Sequence, residues 1–101
     1  MTPCGFERDA LEEYREAALY YAEQRRGLGG EFVAAVEAAV ASICAKPEQY
    51  QAVGDGVRIF RLRRFPYFIF YRHESDRQRV VIYAVVHHRR RPDYWRERLP
   101  R

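Results

Sequence analysis

The sequence predicts an α+β fold in which an N-terminal antiparallel helical hairpin packs on a curled antiparallel sheet of three to four strands. Two consecutive segments in the first half repeat apolar residues at helical spacing, whereas the second half is rich in β-branched and aromatic residues. The 101 residues leave room for one hydrophobic core, so residues 1–101 are expected to form a single domain.

Two helices are expected in the first half of the chain. The first covers residues 7–26 and ends at Gly27, and the second begins after the Leu-Gly-Gly sequence at 28–30 and ends at Pro47. Their apolar stripes consist of Leu11, Tyr14, Ala18, Tyr21 and Ala22 in the first helix and Phe32, Val36, Ala39, Val40 and Ile43 in the second. Because the link is short and contains glycine, the helices are expected to form an antiparallel hairpin.

Three strands are expected in the second half, at Val57–Arg64, Tyr67–His73 and Arg79–His87. Their links are short, so the strands should pair as an antiparallel meander. Residues 1–6 are a candidate edge strand, and the tail from Pro92 is expected to form a last helical turn.

Strand periodicity predicts which side chains share a face. Arg61 and Arg63 should point to solvent, while Phe60 and Leu62 meet the helices. The last strand is apolar on both faces, as is typical of a central strand. Its predicted faces are Val81, Tyr83, Val85 and His87 on one side and Val80, Ile82, Ala84 and Val86 on the other.

Charge is distributed unevenly along the chain. The net charge is +4, but residues 1–56 carry −5 and residues 57–101 carry +9. Lys46 is the only lysine, so the basic half contains only arginine, whose planar guanidinium suits phosphate, carboxylate and stacking contacts. This composition favours a surface that binds nucleic acid or an acidic protein over a merely solubilising one.

Several classes of protein are disfavoured. There is no apolar run expected to span a bilayer and no secretory leader, so the chain is expected to be cytoplasmic without a membrane partner. Cys4 and Cys44 lie far apart in the sequence without metal-ligand spacing, and we interpret each as a small apolar filler. No metal and no cofactor are expected.

The strongest candidate for chemistry is the run from His87 to Arg91. A histidine can act as general acid or base near neutral pH, and arginine can stabilise charge on a phosphate, so His87, His88 and Arg89 could cleave RNA without a metal. Adjacent residues of an extended chain point to opposite faces, so only one histidine is expected to face such a site. The alternative is an ordinary solvated strand end.

Aromatic residues interleave with the arginines, which suits either stacking on unpaired bases or core packing. Phe68, Phe70 and Tyr83 are assigned mainly to the core. Trp95 could contact a target or anchor the tail by packing. The residues expected to bind a target are Arg61, Arg63, Arg64, Arg72, Arg90, Arg91 and Trp95.

Two segments carry a family resemblance. Residues 50–71, which include Val53-Gly54 and Arg-Phe-Pro-Tyr at 64–67, are similar to the central part of RelE/ParE toxins of type II toxin–antitoxin systems. The ending Val85-Val86-His87-His88-Arg89-Arg90-Arg91-Pro92 is similar to the strand end of the same superfamily.

The resemblance implies a growth-inhibiting toxin that a cognate antitoxin neutralises, with operator DNA bound only through the antitoxin. It also implies one of two targets. ParE-like members poison DNA gyrase and are not nucleases, whereas RelE-like members cut mRNA on the ribosome. A third possibility is a degenerate toxin retained only as an antitoxin-binding module.

Only some of the functional residues of RelE have counterparts in this sequence. An arginine that binds phosphate in RelE is matched by Phe68, and the catalytic lysines have no counterpart in residues 57–64, although Arg61 and Arg63 share their charge. The arginine at the strand end is matched by Arg89, and the tail aromatic corresponds to Trp95. The resemblance is therefore closer to the ParE-like branch, and whether the chain is an enzyme stays open.

Overall fold

The computed structural model describes residues 2–90 and 93–100. This part of the chain contains five strands, two α-helices and a C-terminal 3-10 helix. In chain order they are β1 (Cys4–Phe6), α1 (Arg8–Gln24), α2 (Leu28–Ala45), β2 (Gln51–Gly54), β3 (Val57–Arg61), β4 (Tyr67–Glu74), β5 (Arg79–His87) and the 3-10 helix (Tyr94–Arg98). The strands form one sheet in the order β1-β5-β4-β3-β2.

The predicted α+β class and the helical hairpin on a sheet are confirmed, but the sheet is larger and mixed. The candidate edge strand forms as β1 and pairs parallel to β5, whereas the other neighbouring strands are antiparallel. The β2 strand was not predicted, because Gln51 and Ala52 have little β propensity. It pairs with β3 through a turn in which Gly54, Asp55 and Gly56 all have positive φ, at 115°, 54° and 76°.

The two helices begin in different ways, one at a side-chain cap and the other at a left-handed glycine. Glu7 caps α1, because its carboxylate accepts the backbone N–H groups of Asp9 at 2.7 Å and Ala10 at 3.0 Å. The second helix follows Gly27, which adopts the left-handed conformation at φ 83°. It begins at Leu28, so the two glycines expected in the link belong to the helix. Gly29 is buried where α2 approaches α1.

Both faces of the sheet are covered. The larger cluster lies between the helices and one face, with Phe32, Val36 and Ile43 of α2 packed against Ile69 and Ile82 of the sheet. A smaller cluster lies on the opposite face under the C-terminal 3-10 helix. It comprises Val57, Ile59, Phe70, Ala84, Val86 and Trp95. The prediction that the last strand is central and apolar on both sides therefore holds over much of its length.

A bulge in β5 overturns the predicted alternation of its faces. Phe70 lies opposite Ala84, but Tyr71 lies opposite Ile82, so Tyr83 is the extra residue of the strand. Consequently Ile82 packs on the helix side while Ala84 packs on the opposite side. From Ala84 onward, each side chain of β5 therefore lies on the face opposite to the one that regular alternation predicts. This includes His87 at the end of the strand.

The expectation that no segment could span a bilayer needs correction. By length and composition α2 is long and apolar enough, although core helices of soluble proteins pass the same test. The face of α2 that carries Phe32, Val36 and Ile43 is buried in this structure. Core packing therefore accounts for the large apolar side chains on this face of the helix.

The two cysteines pack as apolar residues. Cys44 is buried at the end of α2, and Cys4 of β1 is half-buried against the helix-side cluster. Burial, together with the neighbouring Cys44 thiol, raises the pKa of Cys4. The two segments are also joined through the backbone, since the N–H of Thr2 donates to the carbonyl of Cys44 at 3.1 Å.

Gly29→Ala should destabilise the protein by about 1–3 kcal/mol, because the new methyl group would overpack the contact between the helices. An added Cβ would lie 2.8 Å from the Ala22 Cβ and 2.9 Å from the Ala18 carbonyl oxygen. Gly30→Ala is the matched control, since nothing lies within 4 Å of its added Cβ. It should stabilise by about 0.5–1 kcal/mol through helix propensity. Urea unfolding of both variants measures the difference, and equal stabilities would contradict the packing argument.

Candidate target-binding site

A cavity of about 390 Å³ lies on the face of the sheet opposite the helices, at the end where β5 leaves the sheet. Its floor is apolar, and its rim carries cationic and imidazole side chains. The floor consists of Val53, Ile59, Phe68, Phe70, Val86 and Trp95, and the rim of Arg61, His87, His88, Arg90, Asp93 and Arg96. We call this cavity the sheet pocket. It combines residues from β2, β3, β4, β5 and the C-terminal segment.

The two histidines lie side by side at the rim. Their ring centres are 4.5 Å apart and their planes differ by 26°. The expectation that they point to opposite faces is wrong, because β5 ends at His87 and the chain turns there. The N–H of Arg90 closes this turn by donating to the carbonyl of His87 at 2.9 Å.

Hydrogen bonds orient the two imidazoles differently. The Nδ1 atom of His87 accepts the backbone N–H of Arg89 at 3.2 Å, so the neutral ring carries its proton on Nε2. The Nδ1 atom of His88 lies 3.2 Å from the carbonyl oxygen of Pro66, which can only accept, so His88 is assigned its proton on Nδ1. Chemistry by either ring would therefore go through its Nε2 atom, which carries the proton in His87 and the lone pair in this tautomer of His88.

The electrostatic setting keeps His87 neutral. Partial burial, followed by the neighbouring His88 and Arg89, lowers the pKa of His87 from its ordinary value. A neutral imidazole can donate one hydrogen bond to a ligand, but it adds no positive charge for a phosphate. The arginines of the rim, and not His87, therefore supply cationic charge.

Arg61 is positioned by neutral neighbours. Its guanidinium donates to the Gln51 side-chain oxygen at 3.1 Å and lies 5.6 Å from the centre of the Phe68 ring. Arg90 lies 5.4 Å from the ring centre of Tyr94. Both side chains belong to exposed residues. They can bind an anion above the apolar floor.

The other predicted arginines are distributed around this site. Arg89 is exposed in the turn but does not line the sheet pocket, and Arg63 lines a neighbouring groove together with Arg61. Arg64 lies on the helix side, where it pairs with Glu31 at 2.8 Å. Arg91 lies outside the described residues.

Arg72 lies apart from the pocket. It is four residues beyond Phe68 along β4, roughly 13 Å at the rise of an extended strand. Its guanidinium is 3.7 Å from the buried carboxylate of Glu74, which also accepts a hydrogen bond from Arg79 at 2.7 Å. The structure thus separates Arg72 from the predicted set.

Trp95 is part of the pocket wall, and its ring is packed into the interior of the protein. Only 1% of the residue is exposed. Its ring stacks on Phe70 with centres 5.6 Å apart, and the Arg96 guanidinium lies 4.6 Å from the ring centre. Trp95 therefore anchors the C-terminal segment on the sheet, in agreement with the packing role predicted for it.

No sequence pattern indicates the role of Glu13, an α1 residue that holds the C-terminal segment in place. Its carboxylate accepts two hydrogen bonds from Arg98 at 2.7 and 2.9 Å and one from the Tyr94 hydroxyl at 2.5 Å. It also accepts the backbone N–H of Val85 at 3.1 Å, and Arg98 donates to the Tyr83 carbonyl at 2.9 Å. We call this network the C-terminal clamp.

Other contacts support the same segment from β2. Arg96 pairs with Asp55 in the turn between β2 and β3 and packs against Gly54. Burial and the hydrogen bond to Glu13 raise the pKa of Tyr94, which keeps its hydroxyl a donor. The wall of the pocket therefore depends on contacts with both α1 and the β2–β3 turn.

Glu13→Gln should destabilise the protein by about 1–3 kcal/mol, because it removes the charge that pairs with Arg98, whose side chain is only 15% exposed. It should also expose Trp95 and shift its fluorescence to longer wavelength. Glu12→Gln is the matched control on the same helix, since its exposed pair with Arg15 at 3.8 Å should change stability by about 0.5 kcal/mol or less. Chemical unfolding tests both, and a neutral Glu13→Gln variant would contradict the clamp.

His87 should titrate below 6.5, with the midpoint measured from its ring proton signals by NMR. Because the pKa of His87 is lower in the folded state than in the unfolded state, protonation of this ring opposes folding. The effect of His87 is therefore to reduce the free energy of unfolding as pH falls below about 6.5. His88→Asn and Arg89→Gln each remove one of the causes and should raise the midpoint. A wild-type midpoint at or above 6.5 would contradict the assigned environment.

Comparison with known proteins identifies the family. The family model described as "ParE toxin of type II toxin-antitoxin system, parDE" matches residues 5–92. No curated protein matches the chain by sequence.

Two solved structures share the fold. The chain is similar to the "Chromosomal ParDE TA system from P. aeruginosa", with a TM-score of 0.60 and 16% identity over 86% of this chain and 96% of that one. It is also similar to a mutant of E. coli toxin RelE in complex with an antitoxin RelBc peptide, with a TM-score of 0.64 and 16% identity over 99% and 96% of the two chains. The match of the family model over residues 5–92 shows that the chain belongs to the ParE toxin family of type II toxin–antitoxin systems.

Proposed function

We propose that this chain inhibits growth by a ParE-like action on DNA gyrase, which it contacts through the sheet pocket and its arginine rim. A cognate antitoxin neutralises it, and operator DNA is reached only through that antitoxin. The action takes place in the cytoplasm, where gyrase and DNA are found.

The observation that carries this proposal is the apolar floor of the sheet pocket. Phe68, Phe70 and Val86 line this floor. A site that cleaves a phosphodiester stabilises the developing charge with preorganised donors or cations, and these apolar side chains supply none. An apolar floor with arginines at its rim is instead typical of a protein-binding surface.

The charge of the second half supports the same function. Residues 57–101 carry a net charge of +9, and Arg61, Arg89 and Arg90 are exposed around the end of β5. Clustered arginines speed the encounter with an acidic surface or with DNA held by a protein. This charge therefore supports binding to a protein–DNA complex without requiring chemistry.

RelE-like cleavage of mRNA is the second candidate, and one observation favours it. The stacked pair of His87 and His88 lies on the same rim as Arg61 and Arg90. A base at the Nε2 atom of His88 and a donor at the Nε2 atom of His87 could move protons while the arginines bind phosphate. The chain would then be a metal-independent endoribonuclease.

Induction of the chain in cells without its antitoxin separates the two functions. A gyrase poison should induce the DNA-damage response and double-strand breaks while mRNA stays intact. Cleaved mRNA with undamaged DNA would remove the gyrase proposal in favour of the nuclease. Normal growth would contradict both and would favour a degenerate module.

Variants sharpen this experiment. The double variant His87→Gln and His88→Gln keeps polar side chains but cannot transfer protons, so a gyrase poison should stay toxic and a nuclease should not. The double variant Arg61→Ala and Arg90→Ala should weaken either action. Arg77→Ala is the control, since Arg77 is exposed in the turn before β5, at the opposite end of a strand roughly 26 Å long.

A further inference from the structure

The sheet pocket has a shape and chemistry that define one class of ligand. We infer that it receives a single apolar side chain from an acidic peptide segment of a partner protein, with the flanking carboxylates of that segment bound by the arginine rim. This inference rests on the proposed function, in which the chain acts by binding a protein, and it names what the site recognises.

The interior of the pocket is suited to an aliphatic or aromatic side chain. Its volume of about 390 Å³ leaves room for one large aliphatic or aromatic side chain. Val53 and Phe68 are half-buried at its surface, while Ile59 and Val86 are buried below them. A side chain entering here would bury apolar surface on aliphatic and aromatic walls, which is the main source of affinity at a protein interface.

The same interior is less suited to a nucleobase. Sequence-tolerant recognition of single strands uses exposed aromatic faces on which bases stack. The Trp95 ring already stacks on Phe70, and these residues are only 1% and 3% exposed. Phe68 is half-buried and has the Arg61 guanidinium 5.6 Å from its ring centre. The aromatic rings of the floor therefore serve the internal packing of the protein.

The rim indicates which residues flank the entering side chain. Its cationic members are Arg61, Arg90 and Arg96, and its acidic member is Asp93. Arg96 is engaged by Asp55, whereas the contacts of Arg61 are the neutral Gln51 amide and the Phe68 ring. A carboxylate beside the apolar anchor can therefore bind Arg61 at the mouth of the pocket, and guanidinium–carboxylate pairs of this kind can be bidentate.

His87 adds a donor without adding charge. Neutral His87 has its proton on Nε2 and lies at the rim, so it can donate to a peptide carbonyl or carboxylate. The arrangement is an apolar cavity bordered by one directed donor and three exposed arginines, of which Arg96 is already paired with Asp55. It selects a peptide with an apolar residue among acids over a purely acidic one.

The test uses a short synthetic peptide of Asp and Glu with one central leucine, and the same peptide with alanine at that position. Trp95 is the only tryptophan of the chain and lies in the pocket wall, so its fluorescence reports binding. The leucine peptide should bind about tenfold or more tightly than the alanine peptide, since a buried leucine side chain is worth at least one factor of ten. Equal affinities would overturn the inference.

Two variants locate the effect. Val53→Phe adds bulk at the pocket and should abolish the preference for leucine, while Ala52→Phe, at an exposed neighbour outside the pocket, should keep it. Arg61→Gln should weaken both peptides and reduce their salt dependence. Circular dichroism confirms that each variant is folded. Preserved leucine preference in Val53→Phe would overturn the assignment to this pocket.

Single-stranded oligouridine tests the alternative that the sheet pocket binds nucleic acid. If it binds more tightly than the leucine peptide and Val53→Phe weakens it, the pocket is a nucleotide site and the inference is wrong. The failure of the gyrase proposal is seen separately, because it is read from DNA breaks and mRNA in cells. Leucine-selective peptide binding together with mRNA cleavage would contradict only the gyrase proposal.

Discussion

The contact between Glu13 of α1 and Arg98 of the C-terminal segment is the constraint on which the binding face depends. The two side chains are 14% and 15% exposed, so each would be costly to bury alone. Glu13 also accepts the N–H of Val85, and Arg98 donates to the carbonyl of Tyr83, at a part of β5 that lies beyond its pairing with β1. One ion pair thus supplies hydrogen-bond partners to two backbone groups of β5 and holds the segment that carries Trp95.

The histidine pair depends on a second constraint, the irregular end of β5. The bulge at Tyr83 places Val85 on the helix side, and His87 continues in the same phase opposite Tyr67, with the two ring centres 5.5 Å apart. The turn after His87 then brings the His88 ring against it. Because a regular strand would separate the two rings, their stacking comes from backbone geometry and not from strand alternation.

The elements with strong periodicity could be predicted from the sequence, and those made by distant contacts could not. Both helices and the strand at Arg79–His87 follow from local patterns. The turn at Gly54-Asp55-Gly56 was a usable signal for β2, since its positive φ values favour glycine and aspartate. No local signal indicates the bulge, and Glu13 is separated from Val85 and Arg98 by 72 and 85 residues. Its role therefore emerges only from the fold.

The composition of the site favours binding over catalysis for a physical reason. Cations act most strongly on a transition state when they are preorganised around the point where charge develops. Here the pocket floor is lined by Phe68 and Phe70, His87 is kept neutral, and Arg61 is exposed at the rim. Arginines in that position speed the encounter with a partner and fix its orientation, while the apolar floor supplies most of the binding affinity. An arginine-rich surface is thus compatible with a protein target whose acidic segment presents one apolar side chain.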